Sequence, residues 1–594
     1  MKFQYSCLAA AVAYAVISGC SSQPEPSPAA AMKKAHEDYL KANASGYDWF
    51  ANASDSYGGV PLILLRSLPD LAPEIWGKPE ENFASFGFIP NDVKPGSPLP
   101  LGLSWESMDS AHPPAQLHPV ALTCGGCHIG RVRLENGSYQ TLVGAPNTQI
   151  DVRKWRKAFE ATVHKMMGTP KDIAATADLL SKAIASKPAN YYYKNYAGVT
   201  DQVEAGERAY LTANGKAVLA AFAGKILLGE LATNKQKATS YSAPNAPPLD
   251  GGSPGMSDGS GDLIPRLLLF DTVVKIGPDK TTQTFATTNF PALPEKLATV
   301  TDILSTFMQA DQNLAQVDGS VKSPVFRNVA ASLAVAGDPT LVNIQNTDIT
   351  ATFIAHLPPP AYPFALDAKK VARGKQLFQA NCAGCHKLKN DTVYSVDSIG
   401  TDPNRSKVLN ADALSLFVKY FVASVPPDYT VTEADGSKVK LHDLPPDSVI
   451  IPRTTPQTQG YVADSLVGVW TRAPYIHNGA VPTLYHVLVP SERPAKFVRG
   501  SISYDAEKVG YQWQIEKLDD LKKADATAVA YDTSWDSASR LGHSKNLIID
   551  AMGRIVRAGW DGALQPGETK ARLDWSGAEN KDALSDLLEY LKTL

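Results

Sequence analysis

Four cysteines and two histidines stand in two short runs, Cys124-Gly-Gly-Cys127-His128 and Cys382-Ala-Gly-Cys385-His386. Two thiols three positions apart can add to the two vinyl groups of one porphyrin. The adjacent histidine then falls under the iron, so one turn of chain both tethers and ligates the group. A four-cysteine zinc site would leave both trailing histidines without a role, and a redox pair needs no histidine at that position. The spacing therefore predicts two covalently bound c-type haems, with His128 and His386 as proximal ligands.

The remaining cysteines fit the same account. The chain has six in 594 residues, and the other two are Cys7 and Cys20. Lys2, an apolar run from Cys7 to Ile17, and Ile17-Ser-Gly-Cys20 resemble a bacterial lipoprotein signal cut just before Cys20, with a plain secretory signal as the alternative. Residues 1–19 would leave as the signal, and 20–35 would be a flexible tether from an acylated Cys20. Ser21 resembles outer-membrane sorting. The expected location is thus exported, on the periplasmic side of a bacterial membrane or at the cell surface. No cysteine is left for a disulfide, although that compartment would allow one.

Composition is that of an ordinary water-exposed protein, 44% apolar and 20% charged with net charge −3, and it gives no reason to expect nucleic acid as a partner. No later segment reads as a transmembrane run. Glycine and proline, 42 and 43, point to long loops around helices. Arg131 to Gln149 reads as a strand–turn segment with Asn136-Gly137 at the turn. Asp151 caps a helix to about Met167, and 171–187 and 202–235 repeat the helical pattern. The apolar run from Val218 is read as a buried core helix. Ser240 to Gly261 reads as an ordered loop, Leu297 to Gln312 as a helix, and Pro358-Pro-Pro-Ala-Tyr-Pro as a hinge. A helix from Asp367 to Gln379 precedes the second motif, and Lys581 to Leu594 should close the domain by packing on it. The fold class expected is mainly α: two cytochrome c-like haem domains with long loops and a few short strands, 36–345 with a helical insertion and 346–594. No further internal repeat is evident.

The distal ligands decide function, because a six-coordinate iron passes electrons while a five-coordinate one binds oxygen species. No Met lies between Met308 and Met552. His356, His442, His477, His486 and His543 are the remaining histidines of the second half. Phe364-x-x-Asp367 through His386, then Gly460-Tyr-Val-Ala through Trp470-x-Arg472-Ala-Pro474-Tyr475-Ile-His477-Asn478-Gly479-x-Val-Pro482, resembles the bacterial di-haem cytochrome c peroxidase superfamily. Within it the chain is most similar to the rubber-oxygenase-like branch, which carries this Ala-Pro-Tyr-x-His-Asn-Gly loop and a late Gly-His. The resemblance covers most of 350–594 and is thinner over 115–150. It implies a bis-histidine second haem, with His543 of Gly542-His543 opposite His386. It implies a first haem, on His128, that keeps an open or displaceable distal side and is the catalytic centre.

One departure bears on substrate. The rubber oxygenases carry a Trp-Gly-Pro-Gly-Arg-like segment, and Gly255-Met256 through Asp262 to Arg266 stands in its place without the Trp. Phe270 or Phe290 could supply an aromatic wall, and Met256 could close the site as a ligand. A distal acid, Glu106 or Glu204, would favour peroxide cleavage, and an apolar wall would favour dioxygen. The leading expectation is an oxidoreductase that acts on a small-molecule oxidant or an organic substrate. The alternative is a membrane-tethered electron carrier with both irons six-coordinate, for which His112, His118, His164 and Met256 are the distal candidates. A redox partner protein fits either reading. The resemblance also raises a calcium ion between the domains, which no loop of the sequence demands.

Overall fold

The computed structural model describes residues 28–54, 56–105, 117–194, 201–239, 254–256, 272–276, 283–287, 300–322, 324–336, 339–389, 392–407, 411–432, 438–445, 451, 458–552, 554–559 and 564–594. Cys7, Cys20, Glu106, His112, Asp262, Arg266, Phe270 and Phe290 lie outside the described residues.

Helices dominate and the strands are short. In the first half, Pro119–Leu122 is the middle strand of an antiparallel three-stranded sheet, between Val60–Pro61 and Leu103–Trp105, and it delivers the chain into Cys124. The motif itself is one helical turn, Cys124–His128. The first of its two glycines is forced by contact. A Cβ on Gly125 would stand 2.9 Å from Ala51 Cα, on the Ala44–Asn52 helix that the turn packs against. The expected strand–turn segment is a hairpin, Ile129–Arg133 with Tyr139–Val143, and Gly137 turns it at φ 82°.

Three helices follow, Val152–Met166, Pro170–Ser186 and Asp201–Thr239, in the stretch expected to be a helical insertion. Asp151 caps the first of these by accepting from Lys154 N at 2.8 Å. The insertion buries an aromatic cluster in which Trp76 meets Trp155 edge-on at 5.2 Å. The long helix departs from the expectation that no later segment reads as a transmembrane run. Its Gln202–Leu231 part is long and apolar enough to cross a membrane by length and composition, with mean hydropathy 1.3. Leu211, Leu219, Ala220 and Ala223 are nevertheless fully buried in that same cluster, as expected of a core helix.

In the second half, Asp367 caps Ala368–Asn381, which leads into Cys382. The closing helix Lys581–Leu591 packs on it as expected. Gly374 allows the approach, because a Cβ there would meet Asp586 O at 1.9 Å. Arg373 pairs with Asp586, and Phe378 lies against Tyr590. One apolar core runs through both halves, from Phe50 and Ile129 to Trp470 and Leu587. The Pro358 segment joins that packing, since Trp470 Nε1 donates to Pro360 O at 3.1 Å.

Two sequence expectations fail. Residues 300–308 are an extended loop followed by a single 3-10 turn, Gln309–Asp311, not a helix. A repeat is also present, in backbone rather than in residue type. Residues 301–321 and 461–481 follow the same path. Ala315 bridges Val321 as Tyr475 bridges Val481. Gln316 and Ile476 share a left-handed φ, 66° and 63°, and Gly319 and Gly479 follow at 63° and 62°. Only Ser305/Ser465, Gly319/Gly479 and Val321/Val481 are identical between them.

Candidate haem site

Each repeat holds one motif histidine. His128 Nδ1 bonds Leu304 O at 2.9 Å, and His386 Nδ1 bonds Asp464 O at 2.7 Å. Leu304 and Asp464 are equivalent positions, so the two repeats are histidine clamps. A carbonyl on Nδ1 fixes the ring and leaves Nε2 as the metal-binding nitrogen. Burial pushes the His128 pKa down to about 4 and lowers that of His386 as well, so both rings are neutral donors.

Both motifs open onto one cavity of about 690 Å³, lined by Cys124, Cys127, His128, Cys382, Cys385 and His386 together. None of the four cysteines forms a disulfide. Burial raises the Cys382 thiol to about 12 and raises Cys385 too. The lining is cation-rich among the described residues, with Arg153, Arg156, Lys225, Arg327 and Arg472 against Asp302 and Asp464. Arg153 Nη1, Arg327 Nη2, Arg472 Nε and His477 Nε2 are buried there without a hydrogen-bond partner. Paired thiols, clamped imidazoles and unmatched guanidinium donors fit a haem, whose iron takes nitrogen and whose propionates take cations.

The structure brings His543 into this cavity. Its ring centre lies 6.4 Å from that of His386. One metal ion held from both sides at about 2 Å per nitrogen separates two imidazole centres by about 6 Å. Burial, with His386 and Arg493 nearby, pushes the His543 pKa down to about 3. His543 sits at φ 51° and Gly542 at φ 103°, where a Cβ would press on Thr401. Arg493 holds this strained turn. It donates to Arg540 O at 2.7 Å, Gly542 O at 2.6 Å and His543 O at 3.3 Å, and also to His486 O and Val487 O. A lone arginine in Ser-Glu-Arg-Pro carries no sequence signal of that task.

Other candidates fall elsewhere. Met256 packs with Val300, Ala480 and Phe497 away from the cavity, so it does not close the first site. His118 bonds Glu207 and Tyr193, and His164 bonds Glu230 at the surface. Glu204 accepts from Tyr192 N, Tyr193 N and Arg208, which makes it a structural carboxylate and not a distal acid. His486 bonds Thr483, and neither it nor His356 nor His442 lines the cavity. Among the described residues no three His, Cys, Asp or Glu side chains gather as a site for a free metal ion.

Both cytochrome c-like family models match within the second half of the chain. A cytochrome c model matches residues 371–414, and a model described as RoxA-like, cytochrome c-like matches 460–498, the second clamp with the short helix and strand beyond it. A Y4iN-like domain model matches 45–128 and so ends on His128. The uncharacterized protein y4iM of Sinorhizobium fredii is 41% identical over 447 residues, 72% of this chain and 98% of y4iM. The chain belongs to the y4iM family. Two other uncharacterized proteins of that organism match in part. y4iN is 54% identical over 65 residues, and y4iJ is 27% identical over 277. The chain spans 31% and 41% of their lengths. This member of the family is accordingly a c-type cytochrome with a RoxA-like domain. It carries covalently bound haem and belongs to the haem-containing electron-transfer or oxidoreductase proteins.

Proposed function

We propose that the protein is an exported di-haem oxidoreductase of the di-haem peroxidase and rubber-oxygenase type. Peroxide or dioxygen chemistry would take place at the His128 haem, and electron relay or storage at the His386 haem. When bound, the irons supply the redox chemistry. The chain supplies the rest. Leu304 and Asp464 orient the proximal rings and raise their basicity as ligands. Arg493 holds the turn that carries His543, and His386 and His543 would together hold the second haem, which would suit it to electron transfer.

The observation that carries the reading is an asymmetry. The imidazole of His543 faces that of His386 across the cavity. Among the described lining residues, no histidine or methionine is carried on the helices and strands around His128. The wall there is largely apolar, with Leu65, Trp155, Phe159 and Ile226, and Lys225 stands exposed at its edge. That favours a small oxidant or an organic substrate reaching the first haem over an electron carrier closed at both irons. Anchoring at Cys20 to a membrane facing the periplasm belongs to the same proposal, as does a redox partner protein.

The test is a haem count followed by visible and EPR spectra of the full chain, before and after peroxide or dioxygen. The expected result is two haems, one low-spin and unresponsive, one ligand-responsive. Two low-spin haems indifferent to both ligands would leave the electron carrier. In His543→Ala the second low-spin signal should disappear while the first haem keeps its response.

A further inference from the structure

The two clamps are bonded to each other. Asp302 N donates to His477 O, and Val462 N donates to Val317 O, both at 2.9 Å. These are equivalent bonds run in opposite directions, because Asp302 matches Val462 and Val317 matches His477 in the repeat. Each lies two residues before the carbonyl that holds a proximal histidine, Leu304 or Asp464. The chain thus links one proximal ring to the other through a two-rung backbone ladder.

At the crossing the side chains differ. Val317 offers nothing to a ligand. His477 stacks on Tyr461 of its own clamp, with ring centres 4.1 Å apart and planes 18° from parallel. Tyr461 is in turn fixed by donating to Asp402 O at 2.7 Å. The His477 imidazole lines the shared cavity, and its buried Nε2 meets no protein acceptor. A buried ring nitrogen that meets no protein partner is costly to keep, so the position points to a polar group of a ligand.

We propose that His477 is the positioning residue that couples the two haems. Its ring is seated in the second clamp, its carbonyl holds the first clamp, and its Nε2 bonds a carboxylate of a bound haem. This rests on the two-haem reading above. With both haems bound, an electron passing from the reduced one to the oxidised one would leave the imidazole itself neither oxidised nor reduced. Packed, hydrogen-bonded atoms replace a gap along that route.

The test uses the full haem-loaded chain and His477→Phe, which keeps an aromatic ring on Tyr461 and removes Nε2. The haem count comes first: one haem per chain overturns both this proposal and the reading beneath it. With two haems, the midpoint potentials are titrated, and electron equilibration after sub-stoichiometric dithionite is followed by stopped flow. His477→Phe should slow equilibration at least tenfold and move one midpoint potential, with EPR spin states unchanged. His477→Gln, which keeps an N–H donor, should restore most of the rate. A rate within twofold of wild type in His477→Phe overturns the proposal. So does a low-spin to high-spin change, which would make His477 an axial ligand. If the Phe variant fails to accumulate, Tyr461→Leu removes the stack and leaves the imidazole and both rungs in place. An unchanged rate there overturns the proposal as well.

Discussion

The carbonyls of Leu304 and Asp464 do one job on one backbone path, yet the two clamps are anchored by different chemistry. The first is held by charge. Its Asp302 pairs with Arg499 at 2.6 Å and its Asp318 with Arg405 at 2.9 Å, all four side chains buried and both arginines contributed by the second half. The second is held mainly by neutral bonds. Asn478, the counterpart of Asp318, donates to Ser537 O and Ser539 O and accepts from Ala480 N. The histidine of the first motif is therefore positioned by the second half of the chain. Two stretches can share a backbone path with different residues, provided each finds an anchor, and here the anchors of the first clamp tie it to the second half.

Acid should separate the clamps most strongly. The second side holds three buried imidazoles, His386, His477 and His543, and the first holds His128. Burial holds His477 and His543 at about 3 and His128 at about 4, against an ordinary 6.5. The folded state therefore binds fewer protons than the unfolded one. Its stability is full above pH 6.5 and is lost as pH falls from there to about 4 for His128 and about 3 for His477 and His543, by about 1.4 kcal/mol per pH unit for each such group. Iron on these nitrogens keeps the same sign, since a metal competes with the proton. Thermal midpoints should fall steeply below about pH 6, with the second haem's low-spin signal lost before the first haem is released. Simultaneous loss of both would contradict the asymmetry.

Arg499→Met should be the most damaging single change among the anchors. It leaves Asp302 buried without its partner and strips the acceptors Gly479 O and Pro254 O. Breaking a buried pair from one side costs about 3–5 kcal/mol. Denaturant unfolding should report that loss, and the haem on His128 should change its spectrum more than the haem on His386.

How much of this is legible in the chain varies with the kind of signal. Attachment chemistry is local, so both motifs, the hairpin turn at Asn136-Gly137 and the Asp151 cap can be read from spacing alone. His543 needs family resemblance, because one histidine after a glycine says nothing of the ring it faces. The clamps are not legible. Their function is carried by main-chain carbonyls, for which residue type is nearly irrelevant, and Leu304 does the work of Asp464. Apolar residues at helical intervals predict a helix before Gln309. The stretch is a loop because its backbone groups are committed elsewhere, Asp302 N to His477 O and Thr306 N to Gly144 O. The segment from 240 to 299 lies almost entirely outside the described residues, and with it the stretch that stands in place of the Trp-containing segment.

Asn478→Ala should cost less than Arg499→Met, about 1–3 kcal/mol, because it orphans two carbonyls and one backbone N–H but no charge. Its effect should fall on the second clamp and be visible as a shift in the potential of the His386 haem.

The smallest effect should sharpen the contrast most. Arg472 Nη1 donates to Asp464 Oδ2 at 2.8 Å, and its Nη2 donates to Val467 O at 2.8 Å, which braces the carbonyl that holds His386. The matching residue of the first clamp is Gln312. Asp464 is about a third exposed, so the ion pair itself contributes little to stability, about 0–1 kcal/mol. Arg472→Gln should therefore leave the melting temperature almost unchanged. It should still shift the potential of the His386 haem, because a less rigid carbonyl polarises the proximal imidazole less. The His128 haem should not respond. If both potentials moved together, the bonds between the clamps would transmit more than the side chains do, and the two sites would have to be treated as one redox unit.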